Sequence, residues 1–220
     1  MPEALCFDMY GTLCDVSSVA DAIERELDVP GGLAADVDAL WRTKQIEYAY
    51  HRGAMDRYEP FDVVTREALD YALDYYGLDA GATDTLIDAY DALDPYPEVL
   101  DALDALTADR DAVVFSNGTP AMLDRLAANT GIDARVDALV SADDVGALKP
   151  DPAVYEHVAD ELDRPLSACR LVSSNGWDVA GASATGMATA WVNRDNDPEE
   201  RVGGDADVIV EDLAALADAL

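Results

Sequence analysis

The sequence predicts an α/β fold, a doubly wound parallel sheet with an inserted helical subdomain, on three observations. Short apolar runs recur at Ala4–Phe7, Ala112–Phe115, Ala138–Val140, Arg170–Val172, Ala188–Val192 and Asp207–Val210. Most are separated by stretches of helical periodicity, such as Ala121–Ala128 and Ala153–Leu162, and strands alternating with helices imply parallel pairing. Between about Asp15 and Pro95 the strand pattern stops and apolar residues return at helical spacing instead.

The first run, Ala4-Leu5-Cys6-Phe7, reads as a buried strand with Asp8 at its carboxyl tip, and Gly11 and Thr12 follow as turn signals. In the next segment Leu40, Ile46, Val63, Leu69, Leu73, Leu86 and Tyr90 carry the helical period. Gly31-Gly32, Gly53, Glu59-Pro60 and Gly77 divide it into roughly four helices. Asp94-Pro95-Tyr96-Pro97 marks the return to the sheet, so residues 1–15 and 96–220 are expected to form a Rossmann-like core and 16–95 a helical cap. Ligands of such sheets bind outside the carboxyl ends of the strands, which makes Asp8, Ser116 and Ser173 the first candidates for chemistry.

Charge narrows the partners. Fourteen basic residues against 46 acids give a net charge of −32, and that sign repels phosphate backbones and anionic lipid. No run approaches the roughly 20 apolar residues of a spanning helix. A soluble protein with neither nucleic acid nor membrane as partner is expected. The acids are 34 Asp and 12 Glu, spread over the whole length, and Lys44 and Lys149 are the only lysines. A folded chain this acidic needs its repulsion screened, as molar salt does with a Debye length of about 3 Å, and the pattern resembles proteins of salt-accumulating halophiles. Cys6, Cys14 and Cys169 are odd in number and unpatterned, and Met1-Pro2-Glu3 has no basic or apolar leader character. A reducing cytoplasm is the expected location.

Asp8 with the Gly11-Thr12 turn suggests a nucleophilic carboxylate beside backbone N–H groups, although Asp and Gly after a strand are also ordinary turn chemistry. Three further segments sharpen this: Ser116-Asn117-Gly118, Lys149-Pro150-Asp151 followed by Tyr155, and Ser173-Ser174-Asn175-Gly176-Trp177-Asp178. With Asp8-Met9-Tyr10-Gly11-Thr12-Leu13 they resemble the four ordered motifs of the haloacid dehalogenase superfamily. More narrowly the chain resembles the type II L-2-haloacid dehalogenases, including the cap segment Trp41-Arg42-Thr43-Lys44-Gln45-Ile46-Glu47-Tyr48. Gly176 stands where that family often has Ala.

The resemblance implies metal-free hydrolysis of (S)-2-haloacids to (R)-2-hydroxy acids, without cofactor, through an ester on Asp8. Most superfamily members are Mg-dependent phosphatases with a second Asp two residues after the nucleophile, and here Tyr10 occupies that position. Asp178 is the only carboxylate of the last motif, too few anions for a hard cation. A phosphatase acting on a small phosphorylated metabolite is the alternative, and a non-catalytic relic a further rival.

By the same resemblance Arg42 receives the departing halide with Asn117 and Trp177, while Ser116 grips the substrate carboxylate; as a strand-end hydroxyl it can also cap the helix that begins at Thr119-Pro120, and both roles can hold together. Lys149 neutralises Asp8. Asp178 either orients Lys149 or positions the hydrolytic water. Ser173 and Asn175 join the catalytic set. Tyr155 is either a further site residue or a core aromatic, and Thr12, Tyr10, Gln45 and Trp177 complete the substrate-binding set. A homodimer is also implied. His51, His157 and the three cysteines show no nucleophile or metal-ligand pattern, and helix acids such as Asp101, Asp104 and Asp109 read as a solvated face.

Overall fold

The computed structural model describes residues 3–220; Met1 and Pro2, part of the start read above as lacking a leader, lie outside it. The chain divides into two compact units, one from its start to Asp15 joined by Pro95–Leu220, the other Val16–Asp94. In the first unit lie β1 (Ala4–Phe7), β2 (Ala112–Ser116), β3 (Ala138–Ser141), β4 (Cys169–Ser173), β5 (Ala188–Val192) and β6 (Val208–Val210). All pair in parallel in the order β3-β2-β1-β4-β5-β6. This doubly wound order reverses direction between β1 and β4, where ligand crevices form.

The outermost residues of the expected strands move by one. Ser116, Ser141, Cys169 and Ser173 join their strands because a ladder partner is in register with each, Ser116 opposite Ser141 and Cys169 opposite Ala4. Asp207 drops out of β6, its carboxylate accepting instead from the Thr189 N–H at 2.8 Å.

The inserted unit holds α1 (Ser18–Leu27), α2 (Gly31–Ala54), α3 (Phe61–Tyr76) and α4 (Thr83–Tyr90). Gly77 ends α3 in the left-handed conformation, φ +68°, which a residue without Cβ adopts freely. Gly53 does not break a helix: α2 runs through it to Ala54, the weak propensity of one exposed glycine, about 1 kcal/mol, being outweighed by the packing of α2 on α1 and α3. The apolar phase also shifts slightly, since Val64 rather than Val63 is fully buried. Trp41 is wholly buried and donates its indole N–H to the Thr65 carbonyl at 2.8 Å, joining α2 to α3.

Returning to the first unit, the helices are α5 (Val99–Leu106), α6 (Pro120–Thr130), α7 (Pro152–Glu161), α8 (Gly176–Ala184) and α9 (Leu213–Ala219). Cys6, Phe115, Val140 and Leu171 of the sheet pack with Val154, Tyr155 and Val158 of α7. No helix among the described residues is long and apolar enough to cross a membrane.

Candidate active site

The tips of β1, β2 and β4 and the starts of α7 and α8 meet at the switch point. Asp8 follows β1 directly, its N–H donating to the Val172 carbonyl at 2.9 Å, so the side chain leaves the sheet at the carboxyl edge. Only 6% of Asp8 is exposed. Its Oδ2 accepts from Asn175 Nδ2 at 2.9 Å and from the Thr12 hydroxyl at 3.2 Å, and its Oδ1 from Lys149 Nζ at 3.3 Å. Burial pushes the Asp8 carboxyl above the ordinary aspartate range; Lys149 pulls it back down, and the nearby Asp178 charge adds to the rise.

Lys149 is 1% exposed and its ammonium is saturated, donating to Asp178 Oδ2 at 2.9 Å and to the Phe115 carbonyl at 2.8 Å as well as to Asp8. Its Nζ also lies 4.1 Å from the Phe115 ring centre. Burial works against this cation, but Asp178 and Asp8 together outweigh it and hold the pKa above the usual lysine value. The Lys149 main-chain N–H donates to Asn117 Oδ1 at 2.8 Å, so the residue after Ser116 fixes the lysine loop.

Asp178, fully buried in the first turn of α8, has both oxygens engaged: Oδ2 with Lys149 and Oδ1 with the Tyr155 hydroxyl at 2.7 Å. Tyr155 is both things the sequence left open, a wholly buried aromatic against Phe115 and a polar partner of Asp178. Ser116 does not cap the following helix; Thr119 does, accepting from the Met122 N–H, while the Ser116 hydroxyl accepts from the Gly118 N–H at 3.4 Å. Ser173 is buried with its hydroxyl accepting from the Asn175 N–H at 3.1 Å, and Thr12 accepts from the Ser174 N–H at 2.8 Å.

Tyr10 and Trp177 are half-buried in the same unit, Tyr10 lending its carbonyl to Asn175 Nδ2 at 3.4 Å. Arg42 and Gln45 lie on α2 of the inserted unit. Arg42 pairs with Asp38, and Gln45 is buried with its amide donating to the Thr65 hydroxyl at 3.0 Å.

Two residues escaped the sequence reading. Arg194 follows the β5 tip and donates to the Thr12 carbonyl at 3.0 Å, stacks 3.7 Å over the Tyr96 ring and pairs with Glu98 at 2.7 Å. The rule that singled out Asp8, Ser116 and Ser173, a polar residue just past an apolar run, selects Asn193 after β5 and passes over Arg194 by one position. Gly181 brings α8 close to Tyr155: a Cβ there would sit 2.5 Å from both the Tyr155 hydroxyl and Pro150 Cβ. A glycine inside a helix signals such an approach only when its neighbours in space are known.

Among the described residues no group of three or more His, Cys, Asp or Glu side chains is arranged to hold a metal ion. The two acids of the cluster, Asp8 and Asp178, are bridged by the Lys149 ammonium. What the cluster can do without further groups is present one desolvated, cation-backed carboxylate to an electrophile.

The haloacid dehalogenase-like hydrolase family description matches residues 2–186. Over 202 residues, 90% of this chain and 87% of the relative, the sequence is 40% identical to (S)-2-haloacid dehalogenase 1 of Pseudomonas sp. (strain CBS-3). The fold is similar to that of L-2-haloacid dehalogenase from Xanthobacter autotrophicus, with a TM-score of 0.93 and 36% identity over 99% of this chain and 98% of the other. The structure of that enzyme with chloropropionic acid covalently bound also superposes, with a TM-score of 0.91 and 36% identity over 99% of this chain and 98% of the other.

Proposed function

The chain belongs to the haloacid dehalogenase-like hydrolases, and from that membership we infer that it hydrolyses (S)-2-haloalkanoic acids to (R)-2-hydroxyalkanoic acids through an ester on Asp8. The observation that carries the reading is the Asp8 carboxylate, buried at the switch point and held by Lys149, Thr12 and Asn175. A carboxylate freed of its water shell and backed by a cation is the nucleophile that displacement at a saturated carbon requires.

An Asp8 oxygen attacks C2 opposite the halogen, the C–X electron pair leaves as halide, and the centre inverts. Water then adds to the ester carbonyl carbon of Asp8. The bond from that carbon to the product oxygen breaks, one water proton ends on the product hydroxyl, the other goes to solvent, and the carboxylate is restored. A halide leaves without a general acid, which suits Tyr10 at the position where phosphatases carry their second Asp.

Lys149 holds Asp8 ionised beside an anionic substrate, with Asp178 and Tyr155 as its anchors. The engagement of both Asp178 oxygens supports anchoring over water activation. Thr12, Ser173 and Asn175 fix the nucleophile loop. By the family resemblance of their positions, Ser116 takes the substrate carboxylate, Arg42, Asn117 and Trp177 are halide-receiving residues, and Tyr10 and Gln45 are pocket-wall residues. The Mg-dependent phosphatase is disfavoured by the relatives' activities and by this donor set.

The enzyme acts as a homodimer in a reducing cytoplasm. An exposed aromatic face on α3 supports the first, where Tyr75 is 66% exposed and Tyr71 stacks on it, with Met55, just past α2, 58% exposed. Three free, buried cysteines support the second.

The test is turnover of (S)-2-bromopropanoate with EDTA present, read as (R)-lactate. Metal-independent formation of the R product, lost in Asp8→Asn, is expected. Phosphate release from phosphoesters only after Mg²⁺ is restored would place the enzyme in the phosphatase branch.

A further inference from the structure

Among the described residues three acids are buried, and two of them, Asp8 and Asp178, belong to the nucleophile cluster. The third is Asp38, on α2 one turn before Arg42 and 4% exposed. A buried carboxylate is costly unless it is paired, and here the partner is the Arg42 guanidinium, whose Nη2 donates to Asp38 Oδ2. Burial raises the Asp38 carboxyl above its ordinary range while Arg42 opposes the rise. Exposed pairs at this spacing on a helix contribute little, too little to explain sinking the acid into the unit.

The pair touches Arg42 through Nη2, and a guanidinium carries five N–H donors in a planar fork, so one carboxylate does not exhaust it. Resting on the reading of Arg42 as halide receptor, we propose that Asp38 is a positioning residue that acts as Arg42's resident counter-anion and weakens its hold on free halide. A departing halide is delivered to Arg42 by the covalent substrate, at an effective concentration no free ion reaches. A partly neutralised arginine therefore still receives it, whereas chloride from solution must bind an arginine that already has an anion. The same competition speeds loss of the product halide. An unpaired arginine would be occupied by chloride in the salt that a chain of charge −32 calls for.

The experiment measures initial rates of (R)-lactate formation from (S)-2-bromopropanoate while potassium chloride replaces potassium glutamate at constant ionic strength. Relative to wild type, Asp38→Asn is expected to lower the chloride inhibition constant about tenfold, the loss of one charged hydrogen-bond partner. Asp38→Glu, which keeps the charge, should return it to within about twofold, since glutamate pairs at the same i, i+4 spacing. A merely structural role would lower stability without moving chloride competition. Should Asp38→Asn not fold, Asp38→Ser is read in the same way. An unchanged chloride constant in the folded neutral variant, with turnover crippled in Arg42→Lys, overturns the role of Asp38 and leaves that of Arg42 standing. Full turnover in Arg42→Lys overturns the Arg42 reading itself and this inference with it.

Discussion

The Tyr155 hydroxyl donates a 2.7 Å hydrogen bond to Oδ1 of Asp178, and the other Asp178 oxygen is taken by Lys149. The carboxylate next to the nucleophile's lysine is thereby held from two sides and is itself fully buried. Tyr155→Phe leaves Oδ1 buried without its hydroxyl donor, a change worth about 1–3 kcal/mol. Chemical denaturation should show that loss, and kcat should fall more than KM rises because the substrate is not touched.

Gly181 lies against the same hydroxyl. Gly181→Ala places a methyl 2.5 Å from the Tyr155 hydroxyl and from Pro150 Cβ, so Tyr155 must move. Overpacking of this kind costs about 1–3 kcal/mol. Because both substitutions damage one hydrogen bond, Gly181→Ala combined with Tyr155→Phe should lose less stability than the sum of the two, measured by a double-mutant cycle.

The pH profile follows from the buried charges. Burial lifts Asp8 above its ordinary value of 3.8, so activity should fall on the acid side at a higher pH than a free aspartate would give. Lys149 is raised above 10.5, so its contribution to stability is complete below 10.5 and is lost as pH climbs through the higher folded value. Denaturation midpoints in wild type should therefore carry no Lys149-linked decline at neutral or mildly alkaline pH. A kcat/KM titration whose acid limb sits at or below the free-aspartate value would contradict the burial-driven rise at Asp8.

The exposed aromatic face offers a direct test of assembly. Tyr75→Glu puts a charge on a ring that is 66% exposed. In a monomer this costs under about 0.5 kcal/mol, as surface changes do; in a dimer built on that face it should shift the light-scattering mass from about two chains to one. A wild-type mass of one chain would contradict the dimer.

Much of this architecture is legible in the sequence because parallel strands buried on both faces read as continuous apolar runs, and Ala4–Phe7 and Ala188–Val192 are found in the structure at the bounds the runs mark. Strand ends were less legible: Ser116 and Ser173 are polar by composition and become strand through ladder partners in distant segments. The motif residues Asp8, Lys149, Asp178 and Asn175 are brought together within hydrogen-bond reach, though they are separated by as many as 170 positions in the chain. What stayed hidden is what depends on a third residue. Arg194 matters through the Thr12 carbonyl and Gly181 through the Tyr155 hydroxyl, contacts that arise only in the fold; the Asp38–Arg42 pair stands at a legible i, i+4 spacing, and what stayed hidden there is the burial of Asp38.

The most direct test of the account is a single turnover with enzyme in excess over (S)-2-bromopropanoate in H₂¹⁸O. If water attacks the ester on Asp8, the first lactate carries unlabelled oxygen from the Asp8 carboxylate and the ¹⁸O appears in the peptide containing Asp8. Label in the first lactate, with none at Asp8, would mean that water attacks C2 directly and that Asp8 is not the nucleophile.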